Sequence, residues 1–129
     1  MAKAILVSIS NLYGAIATNA RTHRSDVLRN TTCCWWSVNA ASAQDVTYAF
    51  GVVEGRIVSA YSVVASVEDW PVLPQGAEGA GRRAIPVQEL KESDWNTATS
   101  WTNLGMFGPV RYAEVDLDGA GALAGIRIP

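Results

Sequence analysis

The chain has 129 residues, 49% of them hydrophobic and 17% charged, with a formal net charge of −2. This length and composition describe one globular domain over residues 1–129, able to bury about two thirds of its unfolded surface and neither disordered nor fibrous. The weak negative charge excludes a strong whole-surface attraction to nucleic acid, and no stretch reaches the about 20 apolar residues of a membrane span.

Residues 3–9, Lys-Ala-Ile-Leu-Val-Ser-Ile, read as a first strand. The apolar run is too short and too broken by Ser8, Ser10 and Asn11 for a secretory leader, so a cytoplasmic protein is expected. Residues 11–24 are a polar loop, and Ser25 caps one or two helical turns through Arg29. Cys33 and Cys34 are adjacent. Neighbouring cysteines rarely close a disulfide, so both thiols are expected to be reduced. Trp35 to Val38 is a short strand, and Asn39 caps a turn over Ala40–Gln44.

The clearest signal is the hairpin Tyr48-Ala-Phe-Gly-Val-Val-Glu-Gly-Arg-Ile-Val-Ser-Ala-Tyr61. A two-residue turn at Glu54-Gly55 sets Tyr48 opposite Tyr61, Phe50 opposite Ser59 and Val52 opposite Ile57. A type I turn with Gly55 in a bulge competes with it, because Glu tolerates positive φ poorly. Neither face of the hairpin is polar throughout, which calls for a closed or covered sheet. Val63 to Val67 extends the second strand towards Trp70, until Pro71 and Pro74 break it. Residues 75–81 are a glycine-rich loop. Arg82 to Val87 is an edge strand, since Pro86 cannot donate to a ladder. Ser93 or Asp94 caps a helix through Trp101, and residues 109–115 and 122–128 are strands joined by a turn at 116–121. Five to seven short strands with two or three short helices predict an α+β, mainly β fold, a small barrel.

Chemistry is sparse. His23 is the single histidine, and no spacing pairs it with Cys33, Cys34 or a serine as a nucleophile. One histidine and two adjacent cysteines make no zinc site. The loop Gly76 to Arg83 lacks the Gly-Lys-Ser/Thr ending of a phosphate loop. Asp116 to Arg127 lacks the acidic ligands of a calcium loop at its fifth and twelfth positions. Residues 1–44 hold Lys3, Arg21, Arg24 and Arg29 against Asp26 alone. Arg21, His23, Arg24 and Arg29, before and within the short helix, form either a phosphate-contacting edge or a solvated face. The five tryptophans are the best functional signal, because a base stacked on such a ring gains about 1–3 kcal/mol. Trp35 and Trp36 must point to opposite faces of a strand, so one can be core while the other faces a groove. No catalysis, cofactor or metal is expected.

Several segments in order resemble small PUA-like domains that occur alone or beside nuclease and restriction modules. They are Ala4-Ile-Leu-Val-Ser-Ile9, the short helix before Trp36, Asp45 to Val63, Trp70, and Gly108-Pro-Val-Arg-Tyr112. Cys33-Cys34 stand where such domains carry Arg-Gly. The resemblance implies a PUA-like barrel and a non-catalytic recognition module for a nucleobase, nucleotide or modified nucleic acid. On that reading Trp36 is a stacking wall with Tyr48, Tyr61 or Trp70 nearby. Arg29 or Arg111 meets phosphate, and Asn11 or Asn30 a base edge. Two alternatives stay open: a module that sequesters a soluble nucleotide-like signal, alone or as a homo-oligomer, and a protein-interaction domain.

Overall fold

The computed structural model describes residues 2–9, 32–33, 35–106 and 108–128. Six strands form one sheet: β1 (Ala2–Ser8), β2 (Val46–Val53), β3 (Arg56–Val63), β4 (Val87–Glu89), β5 (Val110–Leu117) and β6 (Leu123–Arg127). One α-helix, α1 (Glu92–Thr99), and a 3-10 turn at Val67–Asp69 lie wholly within the described residues, and Thr32 and Cys33 are also helical. The fold is α+β and mainly β. The expected helix after Ser25 lies outside the described residues.

The strand order is β4-β3-β2-β1-β5-β6, an open sheet with β4 and β6 as edges, and this corrects the expected closed barrel. The sheet buries both faces by being covered instead of by closing on itself. β1 sits at its centre, parallel to β2 and antiparallel to β5. Ala4, Ile5, Leu6 and Val7 are all fully buried, as a strand packed on both faces requires. Ile5, Val7 and Ile9 point to one core with Ala49, Val67, Trp70 and Ile85. Ala4 and Leu6 point to the other, with Phe50, Val52, Ile57, Val115 and Ala98 of α1. The expected burial of Val7, Phe50, Val52 and Ile57 is found.

The hairpin turns as expected and then departs from the expected register. Glu54 (φ 50°) and Gly55 (φ 77°) both lie in the left-handed region, as a two-residue type I′ turn requires. Val52 pairs with Ile57, but Gly51 pairs with Ser59, so Val58 is an extra residue in β3. That bulge sets Phe50 opposite Ala60, Tyr48 opposite Ser62 and Tyr61 opposite Ala49. Tyr48 and Tyr61 therefore lie on opposite faces of the sheet and do not form a pair. The bulge sits where Gly51 leaves room. Ser59 Oγ and Thr32 Oγ1, both fully buried, meet at 2.6 Å against it.

Other segments follow local chemistry. Asn39 Oδ1 accepts from the N–H groups of Ala41 (2.9 Å) and Ser42 (3.2 Å), which is the expected cap. Asp118 Oδ1 accepts from Ala120 (2.8 Å) and Ala122 (2.9 Å) and so folds the β5–β6 turn. β3 ends at Val63, earlier than expected, and the edge strand starts only after Pro86, at Val87. Helix α1 has Lys91 at its N-cap with no side-chain cap, in place of Ser93 or Asp94. Asp94 lies inside the helix, buried, and accepts from the Leu123 N–H at 3.4 Å. Trp36 makes an isolated bridge to Arg83 and not a strand. No helix among the described residues is long and apolar enough to cross a membrane.

Candidate functional site

The expected stacking residues are not brought together. Trp70 is 2% exposed and Tyr61 4%, so both are core. The Trp70 indole Nε1–H donates to the Ala65 carbonyl at 2.9 Å, which satisfies its one polar atom inside the protein. Trp36 is half-buried against the core that holds Trp70, and its Nε1–H donates to the Thr32 carbonyl at 2.8 Å. Its neighbour Trp35 is exposed, so the expected division between core and surface holds with Trp36 on the core side. Arg111 donates from Nη1 to the Gly105 carbonyl at 2.8 Å. Asn11, Arg29 and Asn30 lie outside the described residues. Cys33 is disulfide-bonded, which corrects the expectation of reduced thiols; the sequence offers one other cysteine, the adjacent Cys34.

Of the expected residues that the structure describes, Tyr48 lines a cleft. This hollow of about 690 Å³ lies at the end of the sheet where β1 and β2 begin and β5 finishes. Among the described residues its walls are Lys3, Asp45, Thr47, Tyr48, Tyr112 and Glu114, with Ala2, Ala113 and Leu117 as apolar floor and rim. A smaller hollow of about 350 Å³, formed by residues 43–47 and 63–67, shares Asp45 and Thr47 with it.

The sheet register builds this cleft. Lys3 stands opposite Glu114 on β5, and Tyr112 is its diagonal neighbour. The Lys3 ammonium lies 5.3 Å from the centre of the Tyr112 ring and donates to the Gln44 carbonyl at 3.2 Å. A cation over an aromatic face gains about 0.5–1 kcal/mol at an accessible site, so Lys3 is held in place. The Thr47 hydroxyl donates to the Lys3 carbonyl at 3.3 Å and ties β2 to β1 at the cleft floor. Glu114 leans away towards Arg127 (3.6 Å), which also bonds Asp116 at 2.8 Å. The Tyr48 ring stacks on Phe50 (centroids 6.1 Å apart, planes at 17°), so its inner face is fixed by the core.

Both tyrosines titrate above the ordinary phenol value of 10.0. Burial raises Tyr48 most, and the nearby Asp94 carboxylate adds to it. Burial raises Tyr112, whose buried hydroxyl has no hydrogen-bond partner among the described residues. The folded state thus holds the phenolic protons more tightly than the unfolded chain. Their contribution to stability is complete below pH about 10 and is lost as the pH rises through the folded values. Denaturant melts across an alkaline series should show this decline. A Tyr48→Phe, Tyr112→Phe double variant should flatten it, and an unchanged slope would mean the phenols are not its source.

Lys3, Asp45, Thr47, Tyr112 and Glu114 were not among the site residues expected from sequence. Their convergence depends on β1 being inserted between β2 and β5, which no local pattern records. Among the described residues, no group of histidine, cysteine and acidic side chains could hold a metal. No family model, curated protein or solved structure matches the chain.

Proposed function

We propose that this protein is a binding module, PUA-like in kind, that holds a flat hydrogen-bonding ligand of the nucleobase or nucleotide class in the cleft lined by Tyr48. One observation carries this reading. An open hollow of about 690 Å³, within the size range of small-molecule sites, is lined by the half-buried Tyr48 with Ala2, Ala113 and Leu117 and by the polar residues Lys3, Asp45 and Thr47. The Tyr48 ring supplies stacking area at low entropic cost, and the polar lining supplies hydrogen-bond partners. The PUA-like part of this proposal rests on the sequence resemblance alone, whose segments fall on the following elements. Ala4 to Ile9 lies in and just after central β1, Tyr48 to Tyr61 spans the β2–β3 hairpin, and Val110 to Tyr112 enters β5 beside β1.

The stacking wall in this proposal is Tyr48, not Trp36 or Trp70, whose rings serve the core. Tyr48→Leu keeps apolar bulk over Phe50 and removes the π face. It should weaken binding of a nucleoside by about 1–3 kcal/mol while changing stability much less. Calorimetric titration and a parallel thermal melt measure the two effects. Unchanged affinity in a folded Tyr48→Leu protein would refute the stacking role.

A further inference from the structure

Resting on the Tyr48 cleft as a base-binding site, we infer that Asp94 of α1 reads the exocyclic amino group of the base stacked there, so that the site takes amino-bearing rings and rejects all-keto ones. Tyr48 and Asp94 close the same end of the second core. Phe50 and Ala98 are fully buried within that core. Tyr48 lies two residues before Phe50 on β2 and stacks on its ring. Asp94 lies four residues before Ala98, and these two are the buried residues of α1, on one face of the helix. The strands between carry small side chains on this face. Ala2 of β1 and Ala113 of β5 line the hollow with Tyr48, and Ala113 is the register partner of Ala4. Beyond them Leu117 lines the hollow, and its register partner Leu123 donates its N–H to Asp94. The carboxylate is therefore tied to the Leu117 side of the hollow, and its charge still reaches the Tyr48 phenol.

Asp94 has more hydrogen-bonding capacity than the fold uses. It is 9% exposed, and among the described residues it makes one hydrogen bond, from the Leu123 N–H to Oδ1 at a long 3.4 Å, and no ion pair. A carboxylate has two oxygens and about four acceptor positions. A charge held this far from water is costly unless it is paired. The first turn of α1 favours a negative charge at this position but gives Oδ2 no donor. The Tyr48 hydroxyl feels that charge and makes no hydrogen bond to it.

The chemistry of the ring edges then selects among bases. Adenine and cytosine carry an amino group where hypoxanthine and uracil carry a keto oxygen. A carboxylate binds an amino donor more strongly than a neutral acceptor does, and it repels a keto oxygen. Asp94→Asn keeps the side-chain shape and an oxygen for the Leu123 N–H, and it removes the charge. It therefore separates a ligand role from the role of tying α1 to β6.

The test titrates the purified protein with adenosine against purine riboside, which lacks the amino group, and with cytidine against uridine. Wild type, Asp94→Asn and Tyr48→Leu are compared, with a thermal melt of each. Wild type should bind adenosine about tenfold or more tighter than purine riboside, the usual value of a hydrogen bond to a charged group, and cytidine tighter than uridine. Asp94→Asn should shrink both ratios several-fold, whereas Tyr48→Leu should weaken all the ligands and keep the ratios. In NMR spectra of wild type the Leu123 amide proton, which shares Asp94, should shift with adenosine and not with purine riboside, a readout that needs no variant. Equal wild-type affinity for adenosine and purine riboside, weakened alike by Tyr48→Leu, would overturn the amino-group reading and leave the stacking site standing. Ratios that survive in folded Asp94→Asn, or a Leu123 amide that does not respond to adenosine, would remove Asp94 from the site. Failure of all the ligands to bind at millimolar concentration would overturn this inference and the base-binding reading together.

Discussion

Phe50→Ala should cost about 3–5 kcal/mol of folding free energy. Phe50 is fully buried on β2, between Leu6 of β1 and Ala60 of β3 in register. Its ring meets Trp101 edge-on at 6.0 Å and stacks with Tyr48, so truncation removes partners on two sides. The cavity would open under α1 and the segment after it, whose hold on the sheet depends on this core. A domain of this kind is stable by about 5–15 kcal/mol, so the variant should be near its unfolding threshold at 37 °C. Urea denaturation against wild type gives the number. A loss below about 1 kcal/mol would mean that this face of the hairpin is not the second core.

The other large effect is expected from the smallest side-chain change. In Gly51→Ala the new Cβ would overlap Ser59 Oγ, stand 2.7 Å from Thr32 Oγ1 and 3.1 Å from Ile9 Cδ1. All three neighbours are themselves buried, so none can swing into solvent. The methyl must push apart the Thr32–Ser59 hydrogen bond, and a separated buried hydroxyl loses its partner. Overpacking and the broken bond together should destabilise by about 3 kcal/mol. Adding Ser59→Ala removes the worst overlap. The double variant should then be more stable than the sum of the two single losses predicts, by about 0.5–3 kcal/mol. Strict additivity would show that the close approach of β3 to Gly51 is not the source of the cost.

These two residues mark the limit of what the chain spells out locally. Phe50 was legible as core because the hairpin repeats apolar residues on both faces, and the Glu54-Gly55 turn was legible because few residues can occupy it. The bulge at Val58 was not. It depends on an absent side chain at Gly51 and on two hydroxyls, one of them on Thr32, far away in sequence. The bulge alone turned the expected Tyr48–Tyr61 pair into residues on opposite faces. The closed barrel failed for a related reason. Apolar residues on both faces of a strand say that both are buried, but not whether by closure or by cover. The aromatic site misled in its own way. Tryptophan is both the best stacking surface and the largest core filler, and its indole N–H decides between them only once a partner is seen. Trp36 and Trp70 each satisfy that group on a backbone carbonyl inside the protein. The charged residues of the cleft carry no motif. Lys3 meets Glu114 and Tyr112 only because two strands separated by nearly the whole chain lie side by side.

That central placement of β1 has a consequence during synthesis. Ala4-Ile-Leu-Val7 leaves the ribosome with neither flanking strand yet made, and β5 follows more than 100 residues later. Until then an apolar, strand-forming segment keeps at least one hydrogen-bonding edge open, the state in which chains pair with each other. Translation speed and holding chaperones should therefore govern the soluble yield of this protein more than its final stability does. Once the last ladder forms, the same segment should become the slowest part of the molecule to exchange its amide hydrogens.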